Sequence, residues 1–316
     1  MAISTKTQTN KYLDIFRSID FDKIIDHPNI LIAANFWDQE RFHAAKTCYK
    51  FMRSIDDLID NRKSQPQSIL AHEKEQFESI VNSWINTIPA ASQNNTTEID
   101  LVEIVNKFHI PSWPLEAFAK SMIYDIHNDG FPTLNAFLDY AKGASVAPAA
   151  IFVHLCGLTI KDDQYVPPIF DVKKAAIPCA IFSYLVHIIR DFQKDHISNL
   201  NYFPDDLMDK NGLDRQKLLQ MAQGEPVSKG FRNMIHELYV VADFYRLKTY
   251  EKIQEIKPLL DPQSQLSLEI IFQLYLMVFE RIDVNNGSFT AIELNPTPQE
   301  IKDRVLTTIS GFIVTD

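Results

Sequence analysis

The segment 49–60 is rich in aspartate, and it constrains the fold of this chain more than any other stretch. Polar residues recur on one helical face of this segment at spacings of four, three and four: Tyr49, Arg53, Asp56 and Asp60. Like charges one turn apart destabilise an isolated helix, so a helix that carries them commonly binds cations that offset the repulsion. Divalent cations that prefer carboxylate oxygens would do so, and a solvent-exposed acidic helix end is the alternative interpretation.

A second acidic helix is predicted far downstream, where Asp191 and Asp195 again lie four positions apart. Arg190 directly precedes this pair, and Tyr184 and His187 extend the same helical face upstream. Two such helices, facing each other across a cavity, can hold a cluster of Mg²⁺ ions and through them a diphosphate. One pair of this kind arises often by chance, whereas two inside apolar helices, each preceded by an arginine, are much rarer.

Three segments resemble motifs of the squalene/phytoene synthase family. Residues 49–60 are similar to its first aspartate motif, and residues 190–204 (RDFQKDHISNLNYFP) are similar to its second. Residues 125–140, followed by the small-residue run 143–150, resemble the central segment of the family. The resemblance covers most of residues 27–285, and the combination is more specific than any one motif.

The resemblance implies an all-α, single-domain helical bundle of the isoprenoid synthase type around a central cavity. It implies a Mg²⁺-dependent prenyltransferase that ionises an allylic prenyl diphosphate, farnesyl or geranylgeranyl. Two such units would be joined head to head, through a cyclopropyl diphosphate, to a squalene- or phytoene-like product. Mg²⁺, with Mn²⁺ as an alternative, is expected on four carboxylates: Asp56, Asp60, Asp191 and Asp195.

Further residues are expected to act on the substrate. The planar guanidinium groups of Arg53 and Arg190 are suited to grip phosphate oxygens, and Asp57 is grouped with the catalytic aspartates. The resemblance places Tyr49 near the reacting carbons. Five residues are expected to contact the substrate: Tyr184, His187, Ala144, Ala147 and Tyr202.

The small-residue run contains Ala144 and Ala147, and it allows a long isoprenoid chain to approach the helix backbone closely. Tight packing against another helix explains the same composition, so both interpretations stand at this point.

Several positions depart from the family pattern. His187 stands where the family has Asn, Tyr184 stands where it has Gln, and residues 288–298 lack the usual Tyr and Arg. These departures affect the second diphosphate position and leave three functions open. They are a head-to-head prenyltransferase, a single-substrate terpene synthase or cyclase of the same fold, and a non-catalytic, assembly-type relative.

His187 permits two hypotheses. Imidazole suits Mn²⁺ better than Mg²⁺, so His187 could ligate a metal and shift the preference of the site. Alternatively, a protonated His187, titrating near its ordinary pKa of about 6.5, donates to the diphosphate or to Asp191.

The pattern of apolar residues predicts helices throughout the chain. Only eight of 316 residues are glycine, 46% are hydrophobic, and no β-alternation or internal repeat is evident. Residues 1–10 are predicted to be disordered and residues 11–316 to form one domain. Long helices are predicted at about 36–61, 67–87, 171–197, 230–255, 262–284 and 298–311, with a loop at 88–98.

Composition also limits the partners and the location. A net charge of −10 without a basic run argues against nucleic acid. Three scattered cysteines and the lack of an apolar leader predict a cytoplasmic protein, with transient membrane-surface contact as an option for collecting a prenyl substrate. The histidines show no zinc-type spacing and no glycine-rich nucleotide loop is present. A need for NADPH and the oligomeric state are left open.

Overall fold

The computed structural model describes residues 5–26, 29–65, 67–90 and 96–315. These residues form helices joined by short connections, with one small hairpin. The helices are α1 (Thr5–Ser18), a 3₁₀ helix (Phe21–Asp26), α2 (Asn29–Ala34), α3 (Gln39–Lys63), α4 (Ala71–Ala90), α5 (Thr96–Lys107), α6 (Trp113–His127), α7 (Leu134–Ala144), α8 (Val146–Cys156), α9 (Val172–Arg190), α10 (Phe192–Ile197), α11 (Asp205–Lys210), α12 (Arg215–Ala222), α13 (Lys229–Ile256), a 3₁₀ turn (Lys257–Leu259), α14 (Pro262–Phe279), α15 (Ala291–Leu294) and α16 (Pro298–Gly311). The predicted all-α class is confirmed.

Helix α1 begins inside the stretch predicted to be disordered, since residues 5–10 are helical. Its buried residues Tyr12 and Phe16 anchor it on the core, which supports the polar turns that precede them. Residues 1–4 lie outside the described residues. The loop predicted at 88–98 is wrong at both ends, because α4 continues to Ala90 and α5 begins at Thr96; residues 91–95 lie outside the described residues.

Side-chain caps fix the starts of several helices. Thr133 accepts a hydrogen bond from the backbone N–H of Ala136, and so begins α7 as the sequence predicts. Asp171 caps α9 in the same way, and Thr297 with Glu300 forms a capping box that starts α16. The last helix therefore has its predicted bounds.

The helix predicted at 171–197 is broken at Asp191, which ends α9 and precedes α10. No proline or glycine stands there, so the sequence offers no breaking signal. The side chain of Asp191 is instead held by the preceding Arg190, and its backbone leaves helical geometry for this one residue. Asp191 therefore lies at the helix junction, and Asp195 lies within α10.

One hairpin was not predicted. Strands β1 (Thr159–Lys161) and β2 (Gln164–Val166) pair antiparallel, with Lys161 opposite Gln164. Asp162 and Asp163 form the turn with φ values of 50° and 58°, the left-handed conformation that two-residue hairpin turns require. Strands of three residues are too short to show a recognisable alternation of apolar and polar residues in the sequence.

Helix α9 lies in the middle of the bundle, packed against α8 and α13. By length and apolar composition alone it could cross a membrane, but 56% of its apolar window is buried inside the bundle. Its buried face carries residues such as Phe182, Leu185 and Ile189, so core packing accounts for its composition.

Gly143 near the end of α7 is required by helix packing. A Cβ atom at this position would lie 2.1 Å from the carbonyl oxygen of Ala117 and 2.1 Å from Oγ of Ser121, both on α6. Gly143, in the small-residue run, therefore packs closely against α6. At this position the interpretation as tight helix packing is supported.

Candidate active site

A cavity of about 510 Å³ opens in the centre of the bundle, within the range of ligand pockets. Helix α9 contributes a row of lining residues that begins at Ala175 and ends near Asp191, a distance of about 24 Å at 1.5 Å per residue. Arg53 and the aspartates lie towards one end of this row. Aliphatic and small residues are frequent in the remainder of the lining, including Val153, Ala176, Ile256, Leu268 and Ile271.

Two acidic segments bring the predicted carboxylates to this cavity. Asp56, Asp57 and Asp60 line it from α3, and Asp191 and Asp195 line it from the α9–α10 junction. The charge of Asp60 helps to raise the pKa of Asp195, which shows that the two acidic segments are electrostatic neighbours. The structure therefore gathers both predicted acidic segments in one place.

Each acidic segment contains an arginine engaged with its carboxylates. Arg190 donates from Nε and Nη2 to the two oxygens of Asp191, both at 2.7 Å, which is a bidentate pair. Arg53 pairs with Asp56 at 3.1 Å and with Asp57 at 2.6 Å. Arg53 therefore lines the polar end of the cavity, and Arg190 holds Asp191, which lines it.

Burial and mutual repulsion oppose ionisation of three aspartates. Burial, followed by the charge of Asp60, raises the pKa of Asp56, and burial with the charge of Asp125 raises the pKa of Asp60. Burial and the charge of Asp191 raise the pKa of Asp195 to about 7. Burial opposes ionisation of Asp191 too, but the hydrogen bonds from Arg190 hold the pKa of Asp191 below its ordinary value.

The excess of carboxylates fits a divalent cation. Within the described ranges, no three His, Cys, Asp or Glu side chains form a ready-made metal cluster. The donor set nevertheless consists of the hard oxygens that Mg²⁺ prefers, and burial together with neighbouring carboxylate charges raises the pKa values of Asp56, Asp60 and Asp195. A cation bound between the two segments would relieve this repulsion.

Tyrosines surround the polar end. The hydroxyl of Tyr202 donates to Oδ1 of Asp60 at 3.3 Å, and the ring of Tyr184 stacks on Phe137 with centroids 5.2 Å apart. Tyr49 and Tyr140 also line the cavity. Burial raises the pKa of Tyr140, Tyr184 and Tyr202 well above the ordinary value, so these phenols stay neutral.

His187 lies in the cavity wall, with its ring centroid 5.2 Å from that of Tyr275. Burial, assisted by the charge of Arg190, lowers the pKa of His187 to about 3. Burial therefore favours the neutral imidazole, and donation by a protonated His187 to diphosphate or to Asp191 stays a prediction. Ligation of a metal by the neutral ring stays a prediction.

The two predicted alanines have different surroundings. Ala144 lines the cavity, together with Pro148 and Ala149. Ala147 is fully buried in the core and is not part of the cavity lining, so its expected contact with the substrate is corrected. The break between α7 and α8 at Ser145 changes the helical phase, so residues three apart across it do not share a face.

Asp125 on α6 was not predicted as a site residue. It is 5% exposed and accepts a hydrogen bond from Nζ of Lys63 at 2.5 Å. Its charge raises the pKa of both Asp56 and Asp60. The sequence contains a signal for this residue. Asp125 lies three positions after the apolar Met122, so it falls on the apolar, buried face of α6.

Comparison with known families identifies the arrangement. The sequence model of the squalene/phytoene synthase family matches residues 28–300. The chain belongs to this family. Its members are prenyltransferases, so the chain is an enzyme of the transferase class, as predicted. No curated protein matches the sequence significantly.

Solved structures share the fold of this family member. A dehydrosqualene synthase in complex with a ligand is 15% identical, with a TM-score of 0.63 over 93% of this chain and 97% of that one. Squalene synthase HpnC from Alicyclobacillus acidocaldarius is 12% identical, with a TM-score of 0.63 over 87% and 94%. YisP from Bacillus subtilis is 16% identical, with a TM-score of 0.57 over 96% and 99%. At these identities the likeness establishes the all-α fold alone.

Proposed function

We propose that this protein is a Mg²⁺-dependent prenyltransferase that ionises an allylic prenyl diphosphate and joins two such units head to head. The observation that carries the proposal is the pair of arginine–aspartate sets, on α3 and at the α9–α10 junction, beside one cavity with a largely apolar wall. A diphosphate matches the polar end by charge, and a prenyl chain matches the remaining lining by burial of apolar surface.

The protein groups have separate tasks in this reaction. Arg53 and Arg190 would exchange their carboxylate partners for phosphate oxygens and orient the diphosphate. Mg²⁺ held by Asp56, Asp60, Asp191 and Asp195 would neutralise the leaving diphosphate as a Lewis acid.

The apolar wall completes the chemistry. The rings of Tyr49, Tyr184 and Tyr275 border the space that a prenyl chain would fill, and their faces would stabilise an allylic cation. The aliphatic lining would exclude water that would otherwise trap this cation. These features support an ionising reaction, whichever bond forms next.

A single-substrate reaction is the second candidate, and Tyr184 and His187 favour it. Tyr184 stacks on Phe137, and burial favours the neutral form of His187 beside Tyr275, so neither supplies positive charge for a second diphosphate. A non-catalytic assembly-type role is disfavoured, because retaining mutually repelling buried carboxylates costs stability.

Calorimetric titration with a non-hydrolysable farnesyl thiodiphosphate in Mg²⁺ tests the proposal. Two molecules bound per chain support the head-to-head reaction, and one supports the single-substrate alternative. Binding of none contradicts both. Arg190→Gln keeps a polar side chain but removes the charge, and we expect it to weaken binding by about tenfold or more.

A further inference from the structure

A second space of about 610 Å³ lies between α13, α14 and α16. Its floor is apolar and includes Ile253, Phe272 and Met277. Its rim is polar, and there Arg304 on α16 donates to Oε1 of Gln273 on α14 at 3.1 Å. We call this space the α16 groove; none of the predicted site residues borders it.

Helices α13 and α14 separate the α16 groove from the central cavity. On α14, Leu268 and Ile271 line the cavity, while Phe272 lines the groove. On α13, Ile256 lines the cavity and Tyr250 lines the groove. The two spaces therefore lie on opposite sides of the same pair of helices.

Ile253 on α13 is the residue that, within the described part of the chain, borders both spaces. It is 7% exposed and belongs to the apolar part of the cavity lining, with Ile256 and Leu268. The two spaces therefore meet at the Ile253 side chain. Truncating it would join the spaces and more than double the volume open to an apolar chain, without exposing a buried charge.

We propose that Ile253 is a specificity-determining residue that closes the central cavity against the α16 groove and thereby limits the length of the prenyl chain. The inference rests on the proposed function. The apolar floor of the groove, Phe272 and Met277, would receive the end of a longer isoprenoid chain once the Ile253 side chain is shortened. Each additional buried CH₂ group strengthens binding, so the relative affinities of analogues of different length report which chain length the cavity accepts.

Competition calorimetry with farnesyl, geranylgeranyl and geranylfarnesyl thiodiphosphates in Mg²⁺ tests this assignment. We expect Ile253→Ala to tighten geranylgeranyl and geranylfarnesyl binding relative to farnesyl by about tenfold or more. Ile235→Ala is the matched control, because Ile235 is a fully buried isoleucine of the same helix that lines neither space. It should leave the ratios unchanged. Ile253→Val removes one carbon and should shift the ratios in the same direction by less, which keeps the test decisive if the Ala variant does not fold.

The outcomes separate the two proposals. Unchanged chain-length ratios in the folded Ile253 variants, with farnesyl binding retained, overturn the partition alone. The same ratio shift in Ile235→Ala overturns it as well, since the effect would then follow from loosened packing. Failure of the wild-type protein to bind any of the three analogues overturns the proposed function and this inference with it.

Discussion

The carboxylate cluster should cost the folded protein stability at neutral pH, and Asp195 allows this cost to be measured. Its pKa is raised from 3.8 to about 7 by burial and by the charges of Asp191 and Asp60. Because the folded-state pKa is raised, the contribution of protonated Asp195 to the free energy of unfolding is fully present below about pH 4. This contribution is lost as pH rises through about 7. Three pKa units correspond to about 4 kcal/mol, which partial solvent screening of a side chain at a cavity wall reduces to about 2 kcal/mol.

Urea unfolding of wild type and Asp195→Asn at pH 4.5 and pH 8, with chelator present, tests this reasoning. The Asn variant should gain about 2 kcal/mol at pH 8 and about 1 kcal/mol at pH 4.5, because it removes the charge and keeps the shape, and pH 4.5 already lies above the unfolded-state pKa. Asp139→Asn is the control, since Asp139 pairs with Lys142 on the surface. Mg²⁺ with inorganic diphosphate should stabilise the wild type more than the Asn variant. Equal stability of wild type and Asp195→Asn at both pH values would refute the account.

Other predictions follow from single residues of the cavity. Asp56→Ala or Asp191→Ala should reduce diphosphate release by about 100-fold or more while the circular dichroism spectrum stays unchanged, because each removes an expected metal ligand; turnover like that of wild type would contradict the role. Ala144→Phe should weaken binding of geranylgeranyl thiodiphosphate more than that of the farnesyl analogue, whereas Ala147→Phe should lower the free energy of unfolding by about 1–3 kcal/mol, because Ala147 is a core residue. The reverse pattern would show that the cavity lining is misassigned. His187→Asn should leave the pH profile of kcat/KM unchanged between pH 5 and 8, because burial lowers the pKa of His187 to about 3; disappearance of an ionisation in that range would contradict this.

Most features that could be predicted from the sequence rest on the local spacing of residues along helices. Aspartates one turn apart on α3, and again around Asp191, are visible in the sequence because helical spacing alone puts them on one face. Long apolar helices with few glycines give the all-α class for the same reason. That the two acidic segments act together was inferred from their shared Arg and Asp pattern and from the chemistry of diphosphate binding, and the resemblance to a known family supported it.

Features that depend on tertiary contacts could not be predicted. The break at Asp191 coincides with a side-chain pair with Arg190, and Ala147 lies after a change of phase between two helices. The preference of His187 for the neutral state depends on burial against a residue far along the chain. Ile253 shows no sequence signal, because its position between two spaces exists only after α13, α14 and α16 pack.

The central claim is that two prenyl diphosphates are ionised and joined in one cavity. Incubation with farnesyl or geranylgeranyl diphosphate and Mg²⁺, followed by quantification of released diphosphate and mass analysis of the product, tests it directly. The account predicts metal-dependent release of two diphosphates for each product molecule, with a product that contains both prenyl carbon skeletons. A product with a single prenyl skeleton, or no release with either substrate, would contradict it.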